Sequence, residues 1–173
     1  MTPPQFPVGE YVPAVDPSPA RRAEFIAQIE RLPADARAAV AGLSAEQLDT
    51  KYRNWTLRQI IHHLADSHVN AYVRYRLALT EDSPTIKPYD ESRWAELPDA
   101  KSGDVELSLR LLEAIHARWA QLLRAMSDAD FAKTYVHPEY KKTYKLGDVL
   151  GMYAHHGRHH VGQIQWRRKT DEF

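Results

Sequence analysis

No cysteine occurs among the 173 residues, which excludes disulfides, cysteine-ligated zinc and an enzyme-borne thiol nucleophile. Net charge is missing as well. Twenty-three Lys and Arg balance 23 Asp and Glu, so the chain lacks the basic field that holds nucleic acid. The one basic run, Arg167-Arg168-Lys169, reads as cations complementing a helix C-terminus. Long apolar runs are also absent; none approaches the roughly 20 residues of a membrane span. The proline-rich start, Met1 to Pro13, has neither the basic opening nor the apolar stretch of a secretory signal. These absences predict a cytoplasmic protein with no nucleic-acid and no membrane partner. Its length suits a single domain over residues 1–173.

What is abundant is histidine, with nine residues. Four fall at His155, His156, His159 and His160, and three more at His62, His63 and His68. Two groups so far apart in sequence predict a binding site assembled from separate helices.

Helical periodicity gives four long candidates. The first runs from about Ser18 to Arg31, with Pro33 beyond its end. A shorter piece, Ala34 to Ala41, is closed by Gly42, and Ser44-Ala45-Glu46-Gln47 has the form of a capping box. The second long helix opens at Thr56 and continues to about Thr80, with an apolar stripe through Leu57, Ile60, Ile61, Leu64, Ala71, Tyr72, Tyr75 and Leu79. The segment from Glu81 to Gly103 is broken by Pro84, Pro88 and Pro98, with room for a helical turn over Glu91 to Leu97. The third helix spans about Asp104 to Met126, facing inward through Leu111, Leu112, Ile115, Trp119, Leu122 and Met126. A short turn over Ser127 to Ala132 follows, then a strand-like excursion over Lys133 to Lys145. The fourth helix covers about Leu146 to Lys169. The expected fold class is all-α, a four-helix bundle with a long crossover between helices 2 and 3 that run parallel.

On the fourth helix His156 and His160 are four apart and share a face. That spacing lets two imidazoles reach one metal ion, with a third ligand from another helix and a fourth position left for water or substrate. No H-E-x-x-H pattern occurs, so a thermolysin-like protease is not indicated. His155 faces water, and His159 lies outside the His156 edge. On the second helix both His63 and His68 are candidates, and the helical wheel favours His68 as the inward residue. His62 points away from the stripe.

The stretches Phe6-Pro-Val-Gly-Glu-Tyr-Val-Pro13, Trp55-Thr-Leu-Arg-Gln-Ile-Ile-His-His-Leu-Ala-Asp-Ser-His-Val-Asn70, Lys87-Pro-Tyr-Asp-Glu91 and His156-Gly-Arg-His-His-Val-Gly-Gln-Ile164 resemble the DinB-like metalloproteins, and within them the YfiT-like branch. The resemblance spans nearly the whole chain in order. It implies a four-helix bundle with one divalent metal, nickel or zinc, held by His63, His156 and His160. It also implies a homodimer. The residue before Leu64 is thereby preferred over His68 as the third ligand.

Three neutral imidazoles and an open position suit a Lewis acid that activates water or a thiol. One expected function is transfer of a low-molecular-weight thiol, such as bacillithiol, to an electrophile. The alternative is metal-dependent hydrolysis, and a non-catalytic metal staple is a third reading. Hydrolysis needs a general base; Asp66 projects to the far side, whereas Asp90 and Glu91 have the reach to fold over the site. For substrate binding the candidates are Arg74 on the His63 flank, Tyr89 with Trp94 as an aromatic lid, and Gln163 on the flank of the histidine pair. Trp55 is expected to staple the start of the second helix.

Overall fold

A computed structural model describes residues 1–171; the last two residues of the expected domain lie outside them. Four long helices, α1 (Pro19–Val40), α3 (Leu57–Thr80), α6 (Val105–Ala125) and α8 (Leu146–Thr170), build the bundle. Short helices α2 (Ala45–Leu48), α4 (Glu91–Trp94), α5 (Pro98–Ser102) and α7 (Asp128–Ala132) sit in the connections. The helix starts follow from local chemistry. Ser18 caps α1, and Ser44, Thr56 and Ser127 each form a reciprocal capping box, satisfying amides that a helix start leaves without partners.

Side-chain pairs set the directions. His62 meets Ser108 and His68 meets His116, so α3 and α6 run parallel, and the long connection between them is a true crossover. Glu30 pairs with Arg124 and Arg37 with Glu106, so α1 and α6 are antiparallel. Arg74 reaches Tyr153 while His68 reaches His156, so α3 and α8 are antiparallel too. Both α1 and α3 pack against α6 and α8. The ring order is therefore α1–α6–α3–α8, with directions up, down, down, up.

The parallel α1–α8 pair brings two C-termini together. There Arg168 donates to the carbonyls of Ala38, Ala39 and Ala41, so this cation caps α1 rather than its own helix. The helices approach closely beside Gly157, where a Cβ would come within 2.4 Å of Leu32 Cδ2.

Four expectations need correction. The chain does not break at Pro33; α1 runs through it without interruption. The inward face of α6 is Leu109, Leu112, His116, Trp119, Ala120 and Leu123, and Leu111 is exposed. His116 occupies the centre of that face, which a stripe drawn through apolar residues alone passes by. His62 is buried, because the crossover and α6 cover it through Gly103 and Ser108. Finally, two antiparallel hairpins accompany the helices. β1 (Lys51–Tyr52) pairs with β2 (Trp55–Thr56), and β3 (Thr134–His137) pairs with β4 (Lys142–Lys145).

The core is divided along the bundle axis. One apolar cluster holds Ile29, Tyr75, Trp119, Leu123, Leu146 and Leu150, and the other holds Leu32, Leu57, Ile61, Leu64, Leu112 and Ile164. Emptying one such buried Leu to Ala costs about 2–5 kcal/mol. On three of the four long helices a polar level falls between the two clusters. It carries His68 on α3, His116 on α6 and His156 on α8.

Candidate metal centre

The capping box at Thr56 fixes the start of α3 and puts His63 two turns in, with its ring toward α8. His156 and His160 rise one above the other on α8, as their spacing requires. One nitrogen from each of His63, His156 and His160 forms a group with all mutual separations within 4.8 Å. Nε2 of His63 is 3.2 Å from Nε2 of His156. Two zinc–nitrogen bonds of about 2.0–2.1 Å at a tetrahedral angle put ligand atoms about 3.3 Å apart, so this donor set fits a divalent metal.

The rings are also in the protonation state a metal requires. Burial pushes His63 down to about 4 and holds His156 and His160 well below the usual imidazole value. Nδ1 of His160 lies 2.8 Å from the amide oxygen of Gln163, and Nε2 of Gln163 lies 3.0 Å from Nε2 of His159. Gln163, expected at the substrate, has both ends of its amide engaged by His160 and His159 and also borders the wider cleft. His68 is fully buried and does not join the cluster of three. It lies between His116 and His156, at 3.0 and 3.2 Å.

Trp55 does more than start the helix. Its ring centroid is 4.6 Å from that of His63 and 6.4 Å from that of His160, so the indole walls the site. In the sequence Trp55 directly precedes the Thr56 cap of α3, and that adjacency shows a residue at the helix start but not a wall of the site.

Two clefts open from the cluster. A cavity of about 440 Å³ is lined by His63, His156, Arg74, Tyr89, Tyr135 and Tyr153 among others. A wider one of about 730 Å³ lies toward Gln5, Phe6, Arg53, Asn54 and Gln163. Trp55, Glu91, His159 and His160 line both. Arg74 donates to the Tyr153 hydroxyl at 3.1 Å. Its Nε has no partner, and no carboxylate pairs with it among the described residues. Tyr89 packs on Trp94 with centroids 4.4 Å apart, and burial raises its hydroxyl to about 12. Asp90 is spent on capping α4, whereas Glu91 borders both clefts.

The family model described as the DinB superfamily matches residues 28–164. The chain belongs to the DinB superfamily. Among DinB relatives, YfiT of Bacillus subtilis, named provisionally as a metal-dependent hydrolase, is 44% identical over 92% of this chain and 90% of its own. A similarly named protein of Oceanobacillus iheyensis is 48% identical over 92% and 93%. The solved structure of Bacillus subtilis YfiT, described as having an unusual four-helix bundle topology, superposes with a TM-score of 0.94 at 42% identity, covering 97% of each chain. No helix among the described residues is long and apolar enough to cross a membrane.

Proposed function

We propose that this DinB protein is a metal-dependent S-transferase, which joins a low-molecular-weight thiol of the bacillithiol type to an electrophilic small molecule. The observation that supports it is the pair of clefts meeting at His160, Trp55 and Glu91. Two organic substrates need two approaches to one centre, whereas hydrolysis needs one approach and water. His63, His156 and His160 would hold a divalent metal, zinc or nickel, and that metal would supply the Lewis acidity that makes a thiol nucleophilic near neutral pH. The chain's own lack of cysteine is consistent with this, since the cosubstrate brings the sulfur. A carbon–sulfur bond forms as the bond from that carbon to its leaving group breaks. The leaving group keeps the electron pair, and the thiol proton passes to solvent or to the Glu91 carboxylate. Trp55 excludes water from one side of the site. Arg74, with its unpartnered Nε, takes an anionic group of the substrate in the first cleft, and Tyr89 closes over it. The homodimer implied by the resemblance belongs to the same proposal and is checked by sedimentation.

The second reading is hydrolysis, the activity named for the relatives. It is favoured by the Glu91 carboxylate, which borders both clefts and would serve there as the general base.

The two readings part in one experiment. Metal-loaded protein is given a chlorinated aromatic electrophile with bacillithiol, mycothiol or glutathione, and separately a model ester without thiol, against chelator-treated controls. Thiol-dependent product that disappears on chelation is the expected result. Ester cleavage without thiol, together with no thiol adduct, overturns S-transfer in favour of hydrolysis. Arg74→Gln is expected to raise KM for an acidic electrophile and leave a neutral one unchanged.

A further inference from the structure

We propose that Pro33 sets the tautomer of the metal-facing His156 through two intervening imidazoles, His116 and His68, which act as positioning residues.

The row starts from a missing hydrogen. In an α-helix the N–H of residue 33 would donate to the carbonyl of residue 29, but proline has no N–H. The Ile29 carbonyl receives instead Nδ1 of His116, 2.5 Å away on α6. A carbonyl oxygen only accepts, so Nδ1 of His116 carries the hydrogen. A neutral imidazole has one N–H and one lone pair, which leaves the lone pair on Nε2 of His116. That atom lies 3.0 Å from Nδ1 of His68, so Nδ1 of His68 must donate. The lone pair of His68 is then on Nε2, 3.2 Å from Nδ1 of His156. His156 in turn donates from Nδ1, and its Nε2 keeps a bare lone pair facing His63.

The polarity cannot run the other way, because the terminal carbonyl has no hydrogen to give. Each link therefore determines the next, from a backbone atom on α1 across α6 and α3 to α8. Burial keeps these rings neutral. His68 and His116 are almost wholly enclosed, and burial pushes His116 down to about 4. The three rings lie between the two apolar clusters, where a wrongly placed hydrogen would leave a buried donor facing a donor and cost about 1–3 kcal/mol. A partner behind a metal-bound histidine ordinarily fixes its tautomer and ring orientation. Here that partner is a second histidine, His68, held by a third, His116, and the row is anchored on the one carbonyl of α1 that proline has freed.

The inference rests on His63, His156 and His160 being the metal site, but its principal test uses metal-free protein. Histidine-labelled protein is examined by long-range nitrogen–proton correlation NMR. His116, His68 and His156 are each expected as the Nδ1–H form, the minor tautomer of a free imidazole side chain. Finding the Nε2–H form at His68 or His156 overturns the proposal. A merely space-filling role for His116 predicts no coupling between its removal and the tautomer of a ring two steps away. In His116→Phe, His156 is expected to lose its single tautomer, and zinc affinity to fall by about 10–100-fold. An unchanged His156 spectrum in that variant also overturns it. Pro33→Ala, a substitution that ordinary helix propensity favours, returns a competing N–H to the Ile29 carbonyl. It is expected to populate the other His116 tautomer, and an unaltered spectrum counts against the role of Pro33. Failure of the wild type to bind zinc while the three tautomers are as expected would remove the metal reading and leave the hydrogen-bonded row standing.

Discussion

The amide oxygen of Gln163 lies 2.8 Å from Nδ1 of His160, one turn away on the same helix. An oxygen there requires the ring to donate from Nδ1 and leaves Nε2 for a metal. Gln163→Leu removes the acceptor, and zinc affinity is expected to fall by about 10–100-fold while helical circular dichroism stays unchanged. Competition with a chromophoric chelator reads the loss. An affinity equal to wild type would show that the ring is oriented by packing alone.

The buried imidazoles make a second expectation about acid. His63 and His116 are each depressed by burial to about 4, below the unfolded value of about 6.5. Between those two values the unfolded chain binds protons that the folded chain does not, so stability rises with pH across the window. Metal-free protein should therefore lose stability progressively as pH falls from about 6.5 to about 4. Denaturant midpoints across that range provide the measurement, and a flat profile would contradict the depressed values.

Asp66 behaves in the opposite sense. Burial, with the nearby Asp99 charge, raises its carboxyl to about 6. Above the unfolded value of about 3.9 the unfolded chain is deprotonated while the folded chain still holds the proton. Stability from this residue is thus complete at low pH and is lost as pH rises through about 6. Asp66→Asn is expected to raise the melting temperature at about pH 7.5 and to leave it unchanged at about pH 3.5. Equal effects at both would sink the assignment.

A fourth expectation concerns residues 1–13, whose Pro7 and Val8 form a strap lying against Gly162 of α8. A Cβ on Gly162 would come within 2.5 Å of Val8 Cγ1, and β-branched valine has little freedom to retreat. Gly162→Ala is expected to cost about 1–3 kcal/mol by overpacking, or else to release residues 1–13 to limited proteolysis. A variant as stable and as protease-resistant as wild type would show that strap and helix have slack between them.

What could be read in advance depended on how local the cause was. The caps at Ser44 and Thr56 were legible because donor and acceptor lie within four residues of each other. The His156–His160 pair was legible for the same reason. Pro33 reads as a break in the sequence alone, since the group that compensates for its missing hydrogen is His116, 83 positions along the chain, on the Ile29 carbonyl. The inward face of α6 was drawn one residue out because its central member is a histidine. The choice between His63 and His68 was beyond a helical wheel. Both are buried, one ending at the cluster and the other standing behind His156, and only the packing of α8 against α3 tells them apart. Strands β1 and β2, of two residues each, are too short to show a period.

The facing nitrogens of His63 and His156 belong to residues 93 positions apart in a chain without disulfides. An ion between them would be a removable cross-link across about half of the chain. A permanent link closing a loop of that length would restrict the unfolded chain by roughly 4–5 kcal/mol. A metal that binds only the folded chain acts instead by mass action, so the stabilisation grows with the logarithm of free metal concentration. The third and fourth long helices in the ring must already lie side by side before all three nitrogens converge. Ligation would therefore come late in folding and act on the escape from the native state: supplied metal should slow unfolding many-fold and leave the refolding rate nearly where it was.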